Sequence, residues 1–187
     1  MTKTFIITGA VLGAVLVAGV ILSLVAPKRI VVRNSTFVMA SKQAVFDQLR
    51  FMKNFPGWSP FRVQDPEQKF SISGTDGQVG ATFSWEGVKE KSKGSQKIVF
   101  IKGNDQVKLH CNITEPFQSD PTFNYLLTEK NGGVEVVQDF DLTLPAPANI
   151  LGLLFGLKNK ISATNKQGLS LLKQAAEKNQ TALFTNK

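Results

Sequence analysis

The chain has 187 residues, a formal net charge of +8, one histidine and one cysteine. A lone cysteine excludes an internal disulfide and a thiolate-built metal site. The basic residues are scattered rather than gathered on one helix or interleaved with exposed aromatics, which argues against nucleic acid and leaves an anionic membrane face as the partner such a charge would attract.

Phe5 to Ala26, FIITGAVLGAVLVAGVILSLVA, carries no charge and is closed by Pro27, Lys28 and Arg29. As a helix rising about 1.5 Å per residue it would span about 33 Å, enough for a hydrocarbon core of about 30 Å. A cleaved signal peptide has a shorter apolar stretch, about 7–15 residues. Leu24 also spoils an A-x-A site ending at Ala26, so residues 1–29 are expected to stay as a transmembrane anchor with its flanks. Lys28, Arg29, Arg33 and Lys42 follow the run and only Lys3 precedes it, which puts the soluble part on the cytoplasmic side of a single-pass protein. Gly9 and Gly13 form a G-x-x-x-G, with Ala10, Ala14 and Ala18 at the same spacing. Two anchors could pair through it as a homodimer, though small residues at this spacing are also ordinary in membrane helices. The sequons at Asn34, Asn112 and Asn179 would matter only in a glycosylating lumen and are read as chance matches.

Beyond the anchor, IVVRNSTFVM from Ile30 to Met39 is rich in β-branched residues and predicts a first strand. Ser41 is placed to cap a short helix in which Val45, Phe46 and Leu49 share a face. NFPGWSPFRVQDP, broken by Pro56, Gly57, Pro60 and Pro66, reads as a loop carrying Phe55, Trp58 and Phe61. Those aromatics either plug the core or line the mouth of a pocket.

From Phe70 to Leu144 the pattern has period 2, with turn clusters at TDGQVG, at Gly103 to Asp105 and at Asn131 to Gly133. Val107, Leu109, Cys111 and Ile113 alternate with Lys108, His110 and Asn112. In the last strand Val134, Val136, Gln138, Phe140 and Leu142 share one face, so Gln138 is a polar group on an apolar face that needs a partner. VKEKSKGSQK, with Lys89, Lys91, Lys93 and Lys97, reads as a solvated hairpin turn, with contact to anionic headgroups as the alternative. After Pro145 and Pro147 the period becomes 3.6. Asn149 is placed to cap one long helix to about Lys178 with an apolar stripe that includes Ile150, Leu153, Leu154, Leu157, Ile161, Leu169, Leu172 and Ala176. Gly168 is its weak point, and residues 179–187 read as a flexible tail.

The predicted order is a strand, one or two short helices, five consecutive antiparallel strands and a long helix. An α+β fold follows, in which a curved sheet covers its apolar face with the only element long enough to do so. Space between them would be walled by Trp58, Phe83, Trp85, Phe100, Tyr125, Gln138 and Phe140 from the sheet side and its loop, and by Leu154, Leu157 and Ile161 from the helix.

FPGWSPF with the following Asp65 and Pro66, GTDGQVGATFSWEG from Gly74 to Gly87, and NKQGLSLLK from Asn165 to Lys173 carry a resemblance over residues 30–178. The chain resembles the helix-grip (START/Bet v 1-like, SRPBCC) superfamily, in particular its bacterial polyketide cyclase/dehydrase-like members. That resemblance implies a deep apolar cavity that holds a hydrophobic small molecule such as a lipid, quinone or polyketide, without implying catalysis.

The residues themselves nominate no catalytic group, metal ligand or cofactor. His110, Asp139 and Asp141 fall on polar strand faces. Cys111 points inward with no histidine on its face to activate it. G-x-x-G-x-x-G at Gly74, Gly77 and Gly80 lacks the Lys-Ser/Thr of a phosphate loop. Tyr125 and Gln138 could orient a ligand's polar group. The expected function is a membrane-anchored binding or transfer module for a hydrophobic molecule, with a cyclase or aromatase-like enzyme and a structural protein with a filled core as alternatives.

Overall fold

The structure is a computed structural model that describes the backbone of residues 2–185 and the side chains of Ile7 and residues 17–178. A helix, α1 (Thr2–Val25), leads by a three-residue joint into β1 (Arg29–Val38). Most side chains of the expected anchor, and the Ala10 and Ala14 positions of its small-residue stripe, lie outside the described residues. Among those described, no helix is long and apolar enough to cross a membrane. The described part of α1 is nonetheless bare: Val17, Val20, Ile21, Leu24 and Val25 are all exposed.

After β1 come α2 (Lys42–Arg50), a 3-10 helix over Met52–Gly57 and α3 (Pro60–Gln64). Ser41 caps α2 by accepting from the Ala44 N–H at 3.2 Å, as its position predicts, and Val45, Phe46 and Leu49 are buried. The expected aromatic loop is therefore largely helical. Ser59 caps α3, and Trp58 is sunk in the core with its indole N–H donating to the Gln48 carbonyl at 3.0 Å.

Six further strands follow: β2 (Lys69–Ser73), β3 (Thr82–Glu86), β4 (Lys93–Lys102), β5 (Gln106–Glu115), β6 (Thr122–Lys130) and β7 (Gly133–Thr143). Six consecutive strands stand where five were expected, with β2 and β3 divided by the turn at Gly74 to Gly80, where the TDGQVG cluster predicts one. That turn needs glycine: Gly77 has φ +82° and a Cβ there would lie 2.5 Å from the Phe51 ring. All seven strands form one antiparallel sheet in the order β1-β7-β6-β5-β4-β3-β2, so β1 closes against the last strand.

The single C-terminal helix is a correction. The chain forms α4 (Ala148–Leu154) and α5 (Leu157–Thr185), broken at Gly156 with φ +62° rather than at Gly168. A left-handed residue at a helix end is the usual role of glycine there. Asn149 does not cap; it is 1% exposed inside α4, and its side-chain amide donates to the Ala26 carbonyl at 3.1 Å. α5 lies along β1, with Leu169, Leu172 and Ala176 in the core and Lys173 Nζ donating to the Phe37 carbonyl at 2.7 Å. It continues to Thr185, past the expected start of a tail.

Asp65 ties α3 to the β3–β4 turn. Its Oδ2 accepts from the backbone N–H groups of Val88 at 2.7 Å, Lys89 at 3.0 Å and Glu90 at 3.3 Å. Burial pushes this carboxyl's pKa up, but hydrogen bonds from the backbone of Val88, Glu90, Lys89 and Glu67 outweigh it and hold the group below its ordinary value. The folded state thus favours the ionised form. Its contribution is full above the unfolded value of about 3.9 and is lost as pH falls through the lower folded-state value. Asp65→Asn is expected to lower the melting temperature at neutral pH, with the gap to wild type closing below about pH 4, as thermal unfolding across that range would read.

Candidate functional site

The alternation of β7 brings Val134, Val136, Gln138, Phe140 and Leu142 inward, and all five are buried. The same count along β1 brings in Ile30, Val32, Asn34 and Val38. Register then sets Asn34 opposite Gln138, and Gln138 opposite Tyr125 on β6. A polar row therefore crosses three adjacent strands inside the molecule.

This row divides the core. On one side Ile30, Val32, Phe140 and Leu142 pack with Phe123, Leu144, Leu157 and Ile161. On the other lie Trp58, Phe83, Leu109, Val136 and Leu172 with their neighbours. From α5, Ser162 donates to Asn34 Oδ1 at 3.2 Å, and Asn165 follows one turn later on the buried face.

The row is incompletely paired. Gln138 donates to the Tyr125 hydroxyl at 2.8 Å, yet its Oε1 has no partner, nor do Asn34 Nδ2 and Asn165 Nδ2. All three residues are at most 7% exposed. A buried polar atom left unpaired costs about 1–3 kcal/mol, so the two on paired strands and the one on the facing helix need a reason, beside those at Asp65 Oδ1, Gln96 Nε2 and Asn149 Oδ1 elsewhere. Together with the phenolic hydrogen of Tyr125, they offer three donors and one acceptor, none of them charged.

Nothing in the row acts as a base at neutral pH. Burial pushes the Cys111 thiol up to about 12 and the Tyr125 phenol above its ordinary value, the latter against the opposing hydrogen bond from Gln138. Cys111 makes a 3.4 Å contact with Gln96 Oε1. Its thiol is expected to stay unmodified by iodoacetamide in the native protein at mildly alkaline pH and to react fully in denaturant, as mass spectrometry would show. His110 lies on the half-exposed outer side, 4.0 Å from Asp120. Among the described residues no group of three or more His, Cys, Asp or Glu side chains converges.

The expected lining divides accordingly. Phe83, Tyr125, Gln138 and Phe140 are buried on the inner face, Trp58 plugs the core, and Leu157 and Ile161 are half-buried beside Phe140. Trp85 is half-buried and donates its indole N–H to Ser92 Oγ at 3.1 Å. Two residues are corrections. Phe100 is 44% exposed because a register shift between Ile98 and Phe100 turns it outward, and Leu154 is 62% exposed because the break at Gly156 swings α4 away from the line of α5. The Lys89, Lys91, Lys93 group is partly neutralised, Lys89 by Glu67 at 3.6 Å and Lys93 by Glu86 at 3.7 Å.

Asn34, Ser162 and Asn165 were not nominated as site residues from the sequence, where Asn34 was read only as a chance sequon. The signal existed, since Asn34 shares the alternating face of Ile30 and Val32 and Asn165 lies four residues from both Ile161 and Leu169. A cavity of about 510 Å³, lined by Lys42, Lys102, Asp105 and Glu129 among others, is open and lies at the opposite end of the sheet from α1.

No protein-family model matches this sequence, and no curated protein matches it. Solved structures do. The di-domain ARO/CYC StfQ from the steffimycin biosynthetic pathway aligns with a TM-score of 0.62 at 13% identity, over 81% of this chain and 51% of StfQ, so the chain spans about half of that protein. The protein CV1439 from Chromobacterium violaceum aligns with a TM-score of 0.58 at 11% identity, over 79% and 96% of the two chains. Ara h 8.0201 gives 0.56 at 11% identity, over 79% and 97%. At such identities the likeness is one of fold, and that fold is the helix grip, an antiparallel sheet of seven strands with a long C-terminal helix.

Proposed function

We propose that this chain is a membrane-tethered binding or transfer module for an apolar small molecule with an uncharged, oxygen-bearing end. The observation that carries this is the unpaired amide row of Asn34, Gln138 and Asn165 inside an otherwise apolar interior. A carbonyl or hydroxyl oxygen would accept from the asparagine amides, and a hydroxyl would donate to Gln138 Oε1. A charged head is disfavoured because no ionised side chain is in the row to meet it. The apolar part of such a molecule fits the cluster of Ile30, Val32, Phe140 and Leu142, whose partners Leu157 and Ile161 are only half-buried. Lipid, quinone and polyketide classes all meet this description. The likeness to StfQ raises a cyclase reading, but Tyr125 and Cys111 are held protonated and offer no general base, so binding is favoured over catalysis.

The tether rests on the uncharged run Phe5–Ala26, all but the last residue of which lies in the 24-residue helix α1. Lys28, Arg29, Arg33 and Lys42 just beyond it favour a cytoplasmic face for the domain. A tether of this kind keeps a sparingly soluble ligand at high effective concentration beside its source.

A filled structural core is the second reading, favoured by the edge-on packing of Phe55 against Trp58 and Phe83 at ring separations of 4.8 and 5.1 Å. Native mass spectrometry of the full chain released from membranes, followed by organic extraction, separates the two. A stoichiometric neutral molecule, absent from a Gln138→Met variant handled identically, supports the binding module. An empty wild type after incubation with membrane extract supports the filled core.

A further inference from the structure

We infer that the α1 end of the domain docks on the bilayer through Leu151, Leu153, Leu154 and Phe155 of the α4 segment and Phe117 of the β5–β6 loop. The inference rests on the reading of α1 as an anchor and adds to it a second, peripheral membrane contact.

The strand ladder places these residues together. Arg29 pairs with Thr143, Asp141 with Thr122, Lys93 with Glu115 and with Glu86, so the start of β1, the end of β7 and the loops β5–β6 and β3–β4 share one end of the sheet. At that end Phe117 is 81% exposed, Phe155 67%, Leu154 62%, Leu151 51% and Leu153 46%. A surface helix ordinarily turns its apolar side inward. Here three leucines of a seven-residue helix face out, and a concentration of exposed apolar side chains marks an interaction surface.

The occupant follows from where α1 attaches. Three residues separate α1 from β1, Ala26 is 3% exposed, and Asn149 of α4 donates to the Ala26 carbonyl at 3.1 Å. Leu144 N–H also donates to the Lys28 carbonyl at 2.8 Å. α4 is therefore held against the joint that follows α1, at the end of the domain where a membrane-inserted α1 would leave the bilayer. Charge at this end is only partly cancelled. Arg29 pairs with Asp141, Lys93 with Glu86 and Lys89 with Glu67, while Lys28, Lys91, Lys158 and Lys160 are exposed there, so the apolar contact is one that anionic lipid would strengthen. It also presents the half-buried Leu157 and Ile161, and the amide row behind them, to the membrane side.

The test uses the full chain in phosphatidylcholine vesicles, with an environment-sensitive fluorophore on Leu154→Cys, Phe117→Cys or Met39→Cys. Met39 is 57% exposed at the far end of β1 and controls for apolar exposure alone. Wild type treated with the same reagent reports any labelling of the buried Cys111. Interfacial segments sink about 5–10 Å into the headgroup boundary, so nitroxide lipids labelled near the acyl carbonyl should quench the Leu154 and Phe117 probes about twofold or more and leave Met39 unchanged. Phosphatidylglycerol should deepen this quenching through the exposed lysines at this end, and added salt should return it to the phosphatidylcholine level. If the chain resists alkaline washing yet Leu154 is quenched no more than Met39, the docking is overturned while the anchor stands. If the chain washes off, both fall. A blue shift that grows with protein concentration, without nitroxide quenching, means that a second copy covers the patch and overturns bilayer docking.

Discussion

Phe83→Ala is expected to cost about 3–5 kcal/mol of folding stability. Phe83 is 1% exposed, stacks on Phe70 at a ring separation of 5.2 Å and meets Phe55 edge-on at 5.1 Å. It is held from three directions: the β2–β3 pairing, the 3-10 helix after α2, and the core residues Ile98 and Leu109. A cavity there cannot collapse easily, because each wall is backbone-anchored, and the cost of truncation grows with the void left behind. A domain's whole stability is about 5–15 kcal/mol, so the variant should be marginal. Phe100→Ala is the matched control. With Phe100 44% exposed, its loss should stay within about 0.5 kcal/mol. Equilibrium urea unfolding of both variants checks the difference. Similar midpoints would mean that the sheet's inner and outer faces are not what the register makes them. Phe140→Ala belongs to the other cluster, beside the amide row, and should lower both stability and ligand occupancy where Phe83→Ala lowers stability alone.

The inner faces were legible because alternation is a local property. Once β7 reads Val134, Val136, Gln138, Phe140, Leu142 with period 2, burial of all five follows from the pleat. What the sequence left open was register between strands far apart in the chain. Asn34 and Gln138 are each a polar residue on an apolar face, but only the pairing of the first strand with the last makes them neighbours. Gln138 was legible as a residue needing a partner, and the row was not. The register shift that turns Phe100 outward is likewise invisible to an alternation count, since it changes the phase of one strand without changing its composition. The break at Gly156 competes with a continuous apolar stripe from Ile150 to Ala176. Periodicity alone favoured one helix, and the left-handed φ that only glycine adopts cheaply decided otherwise. The exposed leucines of α4 follow from that break.

Asn165→Leu should raise the stability of the ligand-free protein while weakening ligand binding, and this opposition of signs is the strongest check on the site. Asn165 is 7% exposed, its Nδ2 has no partner, and it lies within α5, where leucine is the better helix former. Relief of an unpaired buried amide is worth about 1–3 kcal/mol, and no hydrogen-bonded neighbour is stranded by the change. A ligand oxygen that had accepted from Nδ2 would lose a net bond of about 0.5–1.5 kcal/mol, up to roughly tenfold in affinity. Gln138→Met tests the same row from the sheet side. There the gain should be smaller, because the Tyr125 hydroxyl loses the amide that now donates to it. Thermal unfolding of delipidated protein reads the first effect, and occupancy by native mass spectrometry reads the second. A loss of stability in Asn165→Leu would assign the amides to the core's own architecture. A gain without loss of occupancy would place the ligand elsewhere. A protein that carries unpaired amides in its interior is less stable than the same fold with leucines there. That cost is accepted where function needs the groups free, which is why the two measurements should move in opposite directions.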